Sequence, residues 1–326
     1  MIKYSHGVRL TPWLFDPICN LAYSFIRRRM NYQEFLTTIK TRLSLQIDSN
    51  FTLIIQTFIK NNGTRHDGLI IQQPGLNVSP TIYLKPYYHR YLDGVSLEDI
   101  CEDILAAYHD NLPEKDFDTS IFTDYRKASQ RIVMRLISYE KNEELLKAVP
   151  HFHYLDLAVV FYCMLCSGEK GQANILIRTE HMENWGVTPE DLRQVAVQNT
   201  EKLLPPDLIS MKALLKERRP ESLTDMEEMD INMYILTNRF RTNGATALLY
   251  EGLLAKLADL FDRDLIILPS SIHEVILVPA REEDGDREKL SEYTAMVKEV
   301  NEMELTDEEI LSGHAYYYSR RTGLVS

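Results

Sequence analysis

The sequence predicts an α+β protein built on a mostly antiparallel sheet, and three observations carry that prediction. Apolar, β-prone runs sit beside one another at 51–60 and 68–72, at 155–165 and 173–177, and at 265–268 and 274–278. Short turn segments, Asn61-Asn62-Gly63, Gly168–Gly171 and Pro269–His273, separate the members of each pair. Single capped helices fall between the pairs instead of alternating strictly with strands.

The elements follow in order. Asn31 and Glu34 stand as N-cap and acidic third helical residue, and Phe35, Leu36, Ile39 and Leu43 form an apolar stripe, so a helix starts at Asn31. Phe51–Lys60 and Gly68–Gln72 make a hairpin, and Pro80–Leu84 adds a strand. Ser96 caps Leu97–Tyr108, whose Glu98, Asp99 and Glu102 suit the positive end of the helix dipole. This α-β-β-(β)-α unit over 30–110 is followed by the acidic, Pro113-containing linker Asp110–Ser120 and a C-terminal α+β domain over 121–326. There Ile132–Tyr139 reads as a strand, Lys141–Ala148 as a short helix, Leu155–Leu165 as a central strand and Ala173–Ile177 as its antiparallel partner. Thr188 at N-cap and Pro189 at N1 open a helix over 189–203, and the mixed-charge stretch 216–230 is exposed. Met233–Leu236 is a strand, Ala245–Asp259 one Ala- and Leu-rich helix, and Leu265–Leu268 and Glu274–Val278 are strands. Arg287–Val300 is a further helix, Thr306–Glu309 a capping box, and Ala315–Ser319 a tyrosine-rich last strand.

Composition narrows the class of function. The 326 residues are 44% apolar and 26% charged, the balance of a globular protein with ample length for a core. Lys+Arg 36 against Asp+Glu 48 leaves −12, which excludes a general basic field for nucleic acid, although Arg126, Lys127, Arg131 and Arg135 form a local basic group. Four cysteines are too few for a secreted disulfide framework, so a reducing, cytoplasmic setting is expected. The apolar stretches Trp13–Ile26 and Leu155–Cys166 fall short of a membrane helix, and no membrane association is expected. Residues 1–29 carry five basic residues and one acid, opposite in sign to the acidic remainder, and read as an upstream extension or disordered arm preceding a start at Met30.

The polar corner Pro269-Ser-Ser-Ile-His-Glu274 between two apolar strands holds the candidate catalytic residues: Ser270 or Ser271 as nucleophile, His273 as base, Glu274 as its partner. A tight turn with backbone-capping serines accounts for the same residues, and no Gly-x-Ser-x-Gly elbow is present. Asn238, Asn243 and Gly244, with Arg239 and Arg241 nearby, are candidate ligand-binding residues at an anion-accepting helix start. No phosphate-binding glycine motif accompanies them, and no cofactor is expected. Cys163 and Cys166 form a lone C-x-x-C at the end of an apolar run, fitting inert buried thiols better than a redox or zinc pair. His151 and His153 share one face of an extended segment, with His181, His273 or His314 as possible completing ligands, yet the spacing is common and no metal is assigned. Tyr83, Tyr87, Tyr88 and Tyr91 suit packing more than ligand stacking.

The segments Lys60–Gly63 with Asp67–Leu69, Ser79–Leu84, Tyr234–Asn238, Asn243–Ala245, Leu268–Glu274 and Glu299–Asn301 make the chain resemble an uncharacterised bacterial domain family, over about 30–320. The later half, through Trp185–Glu190, Ala196–Pro205 and 245–279, is distantly similar to a second uncharacterised family of cytoplasmic α+β proteins. Neither resemblance implies an activity. The sequence therefore favours a non-catalytic protein that binds a small molecule or a protein partner, with a hydrolase using the Ser270/Ser271–His273–Glu274 corner as the alternative.

Overall fold

Asn31 Oδ1 accepts the Glu34 N–H at 2.9 Å and the Glu34 carboxylate accepts the Asn31 N–H at 2.9 Å, closing a capping box ahead of α1 (Tyr32–Ser44). The computed structural model describes residues 29–112, 119–168, 171–218, 232–281 and 287–326. The arm over 1–28, most of the 110–120 linker, the tip of the 168–171 turn and the charged stretch beyond 218 lie outside these residues.

The chain forms two units, one from residues up to 58 with 66–117, the other from 59–65 with 118–326. In the N-terminal unit a sheet of β1 (Thr52–Ile59), β2 (Arg65–Gln72) and β3 (Thr81–Tyr83) accompanies α1, α2 (Lys85–Leu92) and α3 (Leu97–Asp110). Phe35, Ile39 and Leu43 meet Leu69, Ile71, Ile100 and Ile104 in one buried cluster. Tyr88 and Tyr91 stack on each other and pack on Phe35, which places these tyrosines in the helix interface.

The hairpin tip Asn61–Gly63, with Asn62 and Gly63 at φ 57° and 70°, belongs to the C-terminal unit. That unit continues with α4 (Tyr125–Ser129), β4 (Ile132–Ser138), α5 (Glu143–Leu146), β5 (His151–Tyr154), β6 (Leu157–Gly168) and β7 (Gly171–Leu176). Then follow α6 (Thr179–Trp185), α7 (Pro189–Leu203), β8 (Pro206–Ser210), α8 (Met211–Arg218), β9 (Tyr234–Asn238) and α9 (Leu253–Phe261). The described chain ends with β10 (Leu265–Pro269), β11 (Val275–Pro279), α10 (Arg287–Glu304), β12 (Tyr316–Ser319) and β13 (Leu324–Val325). One antiparallel sheet runs β13-β12-β10-β11-β9-β8; in the other, long β6 pairs with β4 on one side and with β5 and β7 on the other. The protein is α+β with mostly antiparallel sheets.

Side chains cover the free edge of β4. Asn199 Nδ2 donates to Ile132 O at 3.0 Å, Thr200 Oγ1 accepts the Met134 N–H at 2.9 Å, Thr246 Oγ1 accepts the Leu136 N–H at 3.3 Å, and Asn142 Nδ2 donates to Ser138 O at 2.9 Å. These bonds replace the neighbouring strand that buried backbone groups otherwise need. Thr200→Val keeps the shape and removes the acceptor for Met134, so it is expected to destabilise the protein by about 1–3 kcal/mol. Urea unfolding checks this, and an unchanged midpoint would show that the hydroxyl is dispensable.

The single helix expected over 245–259 is divided. Gly244–Leu249 is a 3-10 segment, Tyr250 is extended at φ −72°, ψ 131°, and α9 starts only after Gly252 at φ 68°. The break lets the buried Tyr250 hydroxyl donate to Leu204 O at 2.6 Å. Strand β8 after the Pro205-Pro206 pair and the short helices α4 and α6 are additions to the sequence reading.

Candidate functional site

His273 stands at the β10–β11 corner, and the hydrogen bonds there are those of a tight turn. Ser271, only 4% exposed, accepts the His273 N–H on its Oγ at 3.0 Å, while its own N–H donates to Glu274 O at 3.1 Å. His273 Nδ1 accepts the Asn243 N–H at 3.1 Å, which puts the ring proton on Nε2. Nε2 lies 4.0 Å from Glu309 Oε1. Among the described residues the ring makes no hydrogen bond to Ser270 or Ser271, and the Glu274 carboxylate has no ion pair. The four residues proposed as a catalytic set are therefore brought to one turn without a nucleophile–base contact.

The candidate binding residues divide. Asn238 is fully buried and spends its side chain on its own loop: Nδ2 donates to Thr242 O at 2.8 Å and Oδ1 accepts the Phe240 N–H at 2.9 Å. Gly244 is a packing glycine, because a Cβ there would sit 2.5 Å from His273 O and 2.6 Å from Asn238 N. The anion-accepting helix start is replaced by a six-residue 3-10 segment in which Ile272 O takes the Ala245 N–H at 3.3 Å. Asn243, left-handed at φ 52°, remains beside an open cavity.

That cavity, about 380 Å³, is where two buried, unpaired polar groups of the unit, on Arg135 and Asn174, meet. Its floor is the face of the β4–β6–β7 sheet. Val133, Tyr162 and Leu176 are in register across the three strands, so Arg135 and Asn174, each two residues along, share the Tyr162 face. Arg135 lays its guanidinium over the Tyr162 ring at 3.9 Å. Its Nε is fully enclosed without a hydrogen-bond partner, and Asn174 Oδ1 is likewise buried and unpaired. Burial pulls the guanidinium pKa downward, against the favourable influence of Tyr162, and an arginine stays charged regardless. No carboxylate among the described residues pairs with it.

The remaining walls come from Lys60 and Asn61 at the hairpin tip, from Asn243 and His273, and from Glu308 and Glu309. Asn142, 2% exposed, holds the hairpin tip, and the tip in turn holds the segment that carries Glu308. Its Oδ1 accepts the Asn62 N–H at 2.8 Å and its Nδ2 donates to Asn62 Oδ1 at 2.8 Å, while Asn61 Nδ2 reaches Glu308 O and Asn62 Nδ2 reaches Ile310 O, each at 2.7 Å. Glu309 Oε2 accepts from Thr306 Oγ1 at 2.7 Å, which together with the nearby His273 keeps its carboxyl below the usual carboxylate range. The expected capping box at Thr306–Glu309 forms only in half, with no helix behind it: the Glu309 carboxylate accepts the Thr306 N–H at 3.2 Å, while the Glu309 N–H donates to Thr306 O at 2.9 Å.

The other sequence candidates lie elsewhere. Cys163 is buried and its thiol is pushed up to about 11 by desolvation, the opposite of an activated cysteine; the Cys166 side chain lies outside the described residues. His151 Nδ1 bonds to Val149 O at 3.0 Å, His153 stacks on Tyr139 at 3.9 Å, and His181 packs between Phe122 and Trp185. Among the described residues no group of three His, Cys, Asp or Glu is placed to hold a metal, and no helix is long and apolar enough to cross a membrane. Arg126, Lys127 and Arg131 are exposed, whereas Arg135 is half-buried on the sheet face with its Nε enclosed, so the four do not form one patch. The signal for Arg135 was present in the sequence, a lone charge inside the apolar strand IVMRLIS.

No curated protein and no solved structure matches the chain. A family profile described as a family of unknown function, DUF5688, matches residues 32–320, and the chain belongs to that family.

Proposed function

We propose that this is a non-catalytic binding protein that takes a small molecule bearing a carboxylate or phosphate into the Arg135 cavity. The observation that carries the reading is a guanidinium stacked on Tyr162, its Nε enclosed and unpaired, with no carboxylate partner among the described residues. A buried cation left unpaired is costly, and a bound anion supplies the missing partner. The cavity volume, about 380 Å³, suits a small metabolite. Ser271 turned to the backbone and a His273 ring bonded to Asn243 support binding over hydrolysis. A reducing, cytoplasmic setting in a bacterial cell accompanies this reading, supported by the buried, unpaired Cys101 and Cys163.

Thermal melts of the full chain in butanoate and in phosphate test the proposal. A ligand present at 100 times its Kd adds about 2.7 kcal/mol, a rise on the order of 5–10 °C in melting temperature for a unit of this size. Either anion is expected to raise the melting temperature of the wild type and to leave Arg135→Met unmoved. Equal responses in the two proteins, or none in either, would overturn the reading.

A further inference from the structure

Arg135 is not the only ionised group facing the cavity. Glu309 lines the same space, with Oε2 held by Thr306 and Oε1 turned toward His273 Nε2 across 4.0 Å, beyond hydrogen-bond range. Its carboxyl is held in the ionised form, and it makes no ion pair with Arg135. Lys60 and Glu308, which also line it, add one charge of each sign and have interactions of their own; Arg135 and Glu309 are left as two fixed charges of opposite sign that do not neutralise each other. Nearby, Asn174 Oδ1 is buried and unpaired. A simple anion would satisfy Arg135 and leave Glu309 as a like charge across the cavity; a molecule carrying both charges satisfies both.

Building on the anion-binding reading, we infer that the ligand is a zwitterion, with its carboxylate on Arg135 and its ammonium on Glu309. The guanidinium offers a planar fork of donors that a carboxylate matches with two parallel bonds, while the free Oε1 of Glu309 accepts from an ammonium. Asn174 Oδ1 is a further acceptor for an N–H or O–H of the ligand. This assignment excludes fatty-acid-like anions and inorganic phosphate as the preferred occupants.

The test is calorimetric titration of the full chain at pH 7 with glycine, 4-aminobutanoate and 6-aminohexanoate, which separate the two charges by increasing lengths. Butanoate, butylammonium and inorganic phosphate serve as single-charge probes. At least one zwitterion is expected to bind ten-fold or more tightly than butanoate. Glu309→Gln keeps an oxygen for the Thr306 bonds and is expected to bring that zwitterion down to the affinity of butanoate, with butanoate itself unaffected or bound better. If butanoate or phosphate binds as tightly as every zwitterion, or if Glu309→Gln weakens both kinds of probe equally, the zwitterion assignment fails and anion binding stands. If no probe binds, both fail. A melt of Glu309→Gln matching the wild type establishes that the change in affinity is not a loss of fold.

Discussion

Replacing Gly244 by alanine is expected to lower the unfolding free energy by about 3 kcal/mol or more, a fall in melting temperature of roughly 6–12 °C. The reason is close approach of backbone to backbone. Thr237 Oγ1 donates to His273 O at 2.8 Å, and Gly244 packs directly over that bond. A Cβ would lie 2.5 Å from His273 O and 2.6 Å from Asn238 N, and would also overlap Thr237 Oγ1. Neither backbone atom can yield without moving β9 or the β10–β11 corner. Gly252→Ala is the control: its φ is 68°, but nothing lies within 4 Å of the added methyl, so its cost is the dihedral strain of about 1–2 kcal/mol. Chemical denaturation of the two variants separates them, and equal losses would show that the corner relaxes around the new methyl.

Arg135→Met is expected to have the opposite sign on stability while abolishing anion binding. Methionine follows the stem of the arginine and removes a charge that is desolvated and unpaired. The stack on Tyr162 is worth about 2 kcal/mol and offsets only part of that desolvation. By analogy with buried ion groups exchanged for apolar residues of similar volume, unfolding free energy should rise by about 1–4 kcal/mol. A variant that is more stable and no longer responds to butanoate would mark Arg135 as a group kept for its ligand at the expense of the empty protein. A fall in stability of more than about 1 kcal/mol would instead assign the guanidinium a packing role.

The fold was largely legible because its signals are local. The Asn31 and Thr188 caps, the Asn-Asn-Gly turn and the apolar runs of β6, β10 and β11 each declare their element within a few residues. The helix expected at 245–259 was misjudged because Ala and Leu content records propensity, while the break at Tyr250–Gly252 is set by a hydrogen bond to Leu204, far away in the chain. The site was half legible. His273 and Asn243 drew notice because polar residues were dense around them, and both line the cavity. Arg135 was legible only as one of a local basic group and Glu309 only as a cap, and Tyr162 and Asn174 were not legible, because their meeting depends on strand register and on loops brought together across the unit. A single arginine among apolar residues is a weak signal alone; it acquires meaning once Tyr162 is seen beneath it and no carboxylate beside it.

Asn61 Nδ2 and Glu308 O, joined at 2.7 Å, are 247 residues apart in the chain. Closing so long a loop costs entropy that a largely formed structure repays, so these two walls of the cavity are expected to meet late in folding. On that order of assembly, a ligand in the Arg135 cavity would have little to bind in the transition state. It would therefore act as a brake on unfolding and leave the rate of refolding unchanged, so occupancy would set how long each molecule survives once made.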